Sequence, residues 1–436
     1  MGAVLFLLPI LATVALYLPS GLLMPARILT VVAAGLAAWE LASTRTLSSP
    51  RVVAGVGAVS AVFLILGVVA MLRFPDTTSV TSAVHHGFIA LTCLTMAVLT
   101  TQRRRVLASV WGWLASAVLA GVVGFWEVIT AEHLPGNAPA QEYADTLPGW
   151  NDISSFFDNP NLYAYHLVVT LLVLPVMWST AGRRTRWLVL PLGAALSYLL
   201  IRTDGRMALM TLAVGTGLWC LRYRWSQLLA LAVVALTGLT MAINVPPGRY
   251  VLDFIKLALD NIQWRGTSTW VRAEMARSGW WMAEQSNHLG VGPGGYPVWA
   301  FDPANPHTYE QLNNAHWGMV EVLAEYGPFA LVVLLGALGI GTVMALRTAA
   351  LPSLAGDRHR ADRTIMIAGA ITAVTVPLLS MAHSTWLRQP LTAVHLGLVV
   401  SLLAYAGLRT WRQPVPSDDS ATAQADAVES GGPDAG

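Results

Sequence analysis

Between Thr267 and Gly327 the chain gathers the side chains best suited to chemistry: Arg272, Arg277, Glu284, His288, His307, His316, Glu321 and Glu325. A guanidinium offers a planar fork of donors that matches phosphate oxygens, and an imidazole titrates near neutral pH. Arginine with histidine therefore suits a reaction at a phosphate ester in which a proton must also move. Another arginine, Arg206 in IRTDGRMALMT, stands between two apolar runs, where a charge is costly unless it is paired or faces water. Pairing with Asp204 and binding an anion are both open readings of it. His307 and His316 are spaced unlike any common metal pair, and the chain has neither HExxH nor a cysteine pair, so no metal and no cofactor are expected. The run GVGPGG at 290–295 follows no strand and opens no helix, so it reads as a tight turn; a nest of backbone amides for an anion is the other option. In FFDNPNLYAYH, Asn159 ahead of Pro160 is a helix-start signal, and a functional reading has Asp158, Asn159 or Asn161 facing a headgroup.

These groups must be positioned by an apolar scaffold. Of 436 residues, 55% are hydrophobic and only 11% are charged, against about a quarter charged in soluble proteins. Long unbroken apolar runs indicate an all-α integral membrane protein and exclude the alternating segments of a barrel. The net charge of +2, with Lys256 the sole lysine, gives no reason to expect nucleic acid as a partner. Cys93 and Cys220 lie in apolar runs and imply no disulfide framework.

Apolar segments predict about twelve spans: roughly 3–18, 27–44, 52–71, 82–101, 106–129, 162–181, 187–202, 206–221, 225–243, 317–346, 364–383 and 391–408. The first lacks a basic start and reads as a span, not as a cleaved signal. Arginines concentrate in the short loops near 45–51, 103–105, 183–186, 222–224 and 347–363, while the opposite loops hold isolated ones such as Arg27, Arg73 and Arg388. The positive-inside rule then puts both termini in the cytoplasm, and puts loops at about 130–161 and 244–316 outside. Residues 1–411 form one polytopic membrane domain by this reading, and 412–436 a disordered cytoplasmic tail. The long outer loop opens with YVLDFIKLALDNIQWR, an amphipathic helix suited to the membrane surface or to the end of the bundle. A second helix is expected from about Trp270 to Gln285, ended by the glycine turn.

Four stretches, in this order, resemble the O-antigen ligase and polymerase superfamily of membrane glycan transferases. They are FFDNPNLYAY, like F-x-N-P-N-x-x-A; TDGRMAL, like the motif around an essential arginine; Arg272 ahead of GVGPGG; and HWGMVEVLAEYGPFAL, similar to H-N-x-Y-L-x-x-L-A-E-x-G-x-x-G. The resemblance covers about residues 150–335, with Trp317 where the family has asparagine. It implies transfer of a glycan from a polyprenyl-diphosphate carrier to an acceptor hydroxyl on the outer face of the cytoplasmic membrane, inverting and without metal. It places Arg206, Arg272 and His316 in catalysis, and Asn159, Asn161, Gly292, His307 and Glu325 in substrate binding, with His307 in NPHTY an alternative counterpart of the family histidine. The implied partners are the lipid-linked donor, a glycan or cell-envelope acceptor, and membrane lipid; ligase and polymerase are not separated. Two other readings remain: a transporter or flippase of lipid-linked saccharides, and a peptidoglycan-type polymerase using an acidic residue of the outer loop such as Asp253, Asp260 or Asp302.

Overall fold

A computed structural model describes residues 1–17, 24–44, 49–100, 102–135, 152–222, 268–308, 314–354, 359–382 and 385–411. Of these residues 82% are helical and none is in a strand. The helices are α1 (Gly2–Thr13), α2 (Pro25–Thr44), α3 (Pro50–Arg73), α4 (Val80–Leu99), α5 (Arg103–Thr130), α6 (Pro160–Thr180), α7 (Val189–Arg202), α8 (Arg206–Arg222), α9 (Ser268–Gln285), the single turn α10 (Tyr296–Trp299), α11 (Gly318–Ala349), α12 (Arg360–Leu379) and α13 (Pro390–Trp411). Every expected span that falls on described residues coincides with a helix. Among the described residues, eight helices are long and apolar enough to cross a membrane: α2 to α6, α11, α12 with the short turn after it, and α13; α1 and α8 are shorter apolar helices. The span expected at 225–243, the helix at YVLDFIKLALDNIQWR and the tail 412–436 lie outside the described residues.

Helix starts follow the local chemistry. Asn159 caps α6 by accepting from the amide of Asn161 at 2.8 Å, with Pro160 in the first turn, where its missing N–H costs nothing. Ser79 caps α4 through the amide of Ser82.

Burial sorts the bundle into centre and periphery. In α13, 89% of the apolar window is buried, and in α6, 83%, but in α3 only 6%. α3 presents Leu64, Ile65 and Leu72 outward, as a lipid-facing helix must. α13 packs on α4, α1 on α5, and α12 on α6, α8 and α11. Histidines of the apolar runs are packed: His166 stacks on Trp113 and bonds Ser116 at 3.2 Å, and His395 bonds the Tyr165 hydroxyl at 2.5 Å.

The break in α11 explains the glycine turn. Pro328 has no N–H to give the carbonyl of Ala324, and Gly327 (φ 80°, ψ 170°) leaves helical geometry there. A freed carbonyl buried in a membrane protein needs another donor. The amides of Val291 and Gly292 supply it, donating to the carbonyls of Ala324 and Glu325 at 2.9 Å each. The same turn docks on the α3–α4 connection, where Ser79 N–H donates to the Pro293 carbonyl at 2.8 Å and Arg73 donates to the Ser286 carbonyl at 2.9 Å. Thus α9 and the glycine turn are fixed to the ends of α3, α4 and α11.

Candidate functional site

The structure brings together three basic residues from separate stretches of the sequence. Arg272 projects from the first turns of α9, Arg206 opens α8, and His316 lies just ahead of α11. The Arg272 guanidinium is partly buried, and burial together with the positive charge of Arg206 lowers its pKa. It forms no ion pair and no hydrogen bond among the described residues, and the charged groups that act on it and on which it acts are basic. His316 is pushed down to about 4 by burial first and by Arg272 second, so its imidazole is neutral at physiological pH. Arg206 does pair with Asp204, but at 3.6 Å and with side chains 63% and 52% exposed, so that pair is a weak restraint. Asp204 (φ 48°) and His316 (φ 47°) both adopt the left-handed conformation, which non-glycine residues rarely take. Strain of roughly 1 kcal/mol or more at each is held by the surrounding packing, a pattern that concentrates at functional sites.

The other residues singled out from the sequence are placed more variously. Asn159 uses its side-chain oxygen as the cap of α6, and Asn161 supplies the amide it binds. Asp158 beside them has its pKa raised by burial. Gly292 is buried between the kink of α11 and the α3–α4 turn; a Cβ there would lie 2.4 Å from Thr78, and its N–H is already spent on Glu325. The amides of Gly290 and Gly295 are likewise engaged, by Ser286 Oγ and the Gly292 carbonyl, so the turn reads as a packing device. Glu325 is fully buried. Its carboxylate lies 3.9 Å from His86 Nε2, with the amides of Gly294 and Tyr296 nearby, but neither oxygen has a hydrogen bond of normal geometry. His86 in turn bonds the Tyr326 hydroxyl through Nδ1 at 2.5 Å. Glu321, one turn earlier on α11, accepts from the amide of Leu387 at 3.0 Å.

His307 is held in a second group. Its Nδ1 lies 2.9 Å from Glu274 Oε2, and the other oxygen of Glu274 accepts from Arg277 one turn along α9. The loop that carries His307 is tied down by Asn305, whose side chain donates to Ser278 Oγ at 2.8 Å and accepts from the His307 amide at 3.0 Å. Beside this group is a cavity of about 780 Å³, with Arg277, Trp280, Trp281, Glu284, His307 and Trp317 among its lining residues. His316 and Trp317, neighbours in the chain, face the arginine group and the cavity respectively. Glu274 was not among the residues the sequence marked for chemistry. Its spacing to Arg277 signals an ordinary intrahelical ion pair, and only the fold brings it to His307.

Another buried carboxylate at this end of the bundle is purely architectural. Glu127, near the end of α5, bonds His133 Nδ1 at 2.9 Å and accepts from the amides of Ser154 at 2.9 Å and Ser155 at 2.7 Å. It fixes the strand of chain that leads into Asp158 and Asn159.

No group of His, Cys, Asp and Glu side chains among the described residues is arranged to hold a metal ion. No protein-family model matches the chain, and no curated protein sequence matches it at a significant level.

Proposed function

We propose that the chain is a glycan transferase of the outer face of the cytoplasmic membrane. In this reading it moves a glycan from a polyprenyl-diphosphate carrier to an acceptor hydroxyl. The observation that carries the reading is the convergence of Arg206, Arg272 and His316 with no counter-ion for Arg272 among the described residues. Two guanidiniums that repel each other at a partly buried position are stabilised by a dianionic ligand, and a diphosphate fits their forked donors. As the anomeric carbon–oxygen bond breaks, negative charge grows on the departing diphosphate. Arginines that neutralise it lower the barrier without a strong general acid. Neutral His316 donates a hydrogen bond to a phosphate oxygen. The acceptor oxygen attacks the opposite face of the sugar, and the product is inverted. The resemblance of the four sequence stretches to the O-antigen ligase and polymerase superfamily supports the same donor, and the eight apolar helices among the described residues fit an enzyme embedded in the membrane.

The transporter reading has one observation in its favour. Glu325 and His86 form an unsatisfied acid–imidazole pair inside candidate spans, and intramembrane ionisable groups often mark transport pathways.

The test is the pool of polyprenyl-diphosphate-linked glycans in cells lacking the protein, complemented by wild type or by Arg272→Ala. Long chains accumulating on lipid at the outer face identify a ligase, and single repeats a polymerase; Arg272→Ala should leave the accumulation in place. Accumulation on the cytoplasmic leaflet, closed to an external lectin, would instead favour the transporter, and an unchanged pool would remove the transferase reading.

A further inference from the structure

In the transfer proposed above, His316 donates a hydrogen bond to a phosphate oxygen, and such a bond weakens steeply when the donor is turned out of line. Among the described residues nothing hydrogen-bonds the His316 ring, so its direction is set by the backbone that carries it. That backbone is left-handed (φ 47°), a conformation that costs a non-glycine residue roughly 1 kcal/mol or more. It persists only if the neighbouring residues are held firmly. Trp317, the next residue, is extended (φ −159°, ψ 114°) and caps α11, its carbonyl accepting the amides of Val320 and Glu321 at 3.0 Å each.

The contacts that hold it come from α12 and from the turn before α13. The last carbonyls of a helix have no donor within it, and Pro377 stands in the last turn of α12. Its carbonyl accepts from Ser380 Oγ at 2.8 Å and from Trp317 Nε1 at 3.2 Å. The indole N–H therefore ties the residue after His316 to a separate helix. On the other side Gly318 lies flat on Trp386, where a Cβ would come within 2.6 Å of the indole ring. Trp386 is itself buried and donates to the Tyr165 hydroxyl at 3.3 Å. With 317 and 318 clamped between Pro377 and Trp386, the left-handed turn at His316 sends neighbouring side chains apart: the imidazole toward Arg272, the indole toward α12 and the cavity beside α9.

We propose that Trp317 is a positioning residue of the diphosphate site: its Nε1–H, seated on the Pro377 carbonyl, keeps His316 in the left-handed conformation that aims the imidazole at a phosphate bound by Arg206 and Arg272. This rests on the transferase reading above. Trp317 acts through His316. Without the indole N–H the backbone at His316 is free to relax into a commoner conformation, and the imidazole turns away from the arginines. Pro377 keeps Ser380 as a donor in that case, so no buried carbonyl is stranded and the loss falls on the site and not on the fold. The inference gives a role to the tryptophan that stands where the resembling family has asparagine.

The test is the affinity of the full chain in lipid nanodiscs for farnesyl diphosphate, a short polyprenyl diphosphate, measured by calorimetry for wild type, Trp317→Phe, His316→Ala, the double variant, Ser380→Ala and Arg272→Ala. His316→Ala should weaken binding roughly tenfold or more, the size of a hydrogen bond to a charged group. Trp317→Phe should weaken it by about five- to tenfold in the wild-type background and by less than about twofold when His316 is already alanine, because nothing is then left to position. Ser380→Ala removes the other donor to the same carbonyl and should bind like wild type. Should Trp317→Phe fail to accumulate, β-(3-benzothienyl)alanine at position 317 decides, since it keeps both rings and lacks only the N–H. Equal weakening with and without His316, or a like loss in Ser380→Ala, would make the bond a structural one and overturn the inference. So would a Trp317→Phe that binds like wild type beside a weakened His316→Ala. If Arg272→Ala and His316→Ala both bound farnesyl diphosphate as wild type does, or wild type did not bind it, the transferase reading itself would fall.

Discussion

Glu127 and Arg272 are both charged side chains withdrawn from solvent at the same end of the bundle, and their surroundings are opposite. Three N–H donors close around the Glu127 carboxylate, and every group involved gains a partner of complementary character. Arg272 has no such partner among the described residues; the charge that acts on it is the like charge of Arg206, and the His316 beside it is held neutral. A satisfied buried charge serves architecture, because breaking it strands its partners without water. Like charges gathered without a counter-ion cost the fold free energy, and a ligand of opposite sign recovers it. The contrast therefore distinguishes a residue that builds this protein from one that the proposed function assigns to a ligand.

The difference can be broken by substitution. Arg272→Ala should reduce glycan transfer by roughly 10²–10³-fold, while the thermal unfolding temperature in detergent stays at or slightly above the wild-type value. A marked drop in that temperature would put Arg272 with Glu127 on the architectural side. Glu127→Ala should do the reverse, destabilising by about 2–4 kcal/mol because the amides of Ser154 and Ser155 lose their acceptor. Turnover per folded molecule should then fall by only a few-fold, as read from activity normalised to the folded fraction. A smaller effect of opposite sign is expected at Asp204. Removing its charge by Asp204→Asn frees Arg206 from a weak 3.6 Å pair, so the donor KM should fall by about two- to threefold.

A pH dependence of stability is expected as well. His316 titrates near 4 in the fold against 6.5 unperturbed, so between these values the unfolded chain binds the proton and the folded chain does not. Its contribution is present above about pH 6.5 and is lost as pH falls toward 4. Arg272→Ala removes part of the cause and should flatten that loss, as followed by unfolding temperature against pH. An unaltered slope would mean that Arg272 exerts no field at His316.

The helices were readable from the sequence because lipid leaves the backbone no alternative: apolar runs of sufficient length must satisfy their own N–H and C=O groups. The start of α6 at Asn159–Pro160 was readable for the same local reason, and so was the helix before GVGPGG. The glycine turn was recognised as a turn, but its purpose was not. Its amides replace a donor that Pro328 removes from α11, some forty residues away along the chain, and only folding brings the two together.

The candidate site divides in the same way. Arg206 stood out because charge beside apolar sequence is expensive, and Arg272 and His316 stood out by side-chain type and by the resemblance of the stretches that carry them. The partners were not legible. Glu274 reads as one more helix-surface acid until His307 is folded against it, and Glu127 reads as the end of an apolar helix until the chain before α6 returns to it. Sequence by itself determined an apolar, all-helical chain with its reactive side chains gathered near α9, because burial of apolar surface and backbone hydrogen bonding act locally and repeat along the chain. Only the tertiary structure decided which charges are paired and which face their own kind, because Coulomb interactions and hydrogen bonds depend on distances of a few ångströms between residues far apart in sequence.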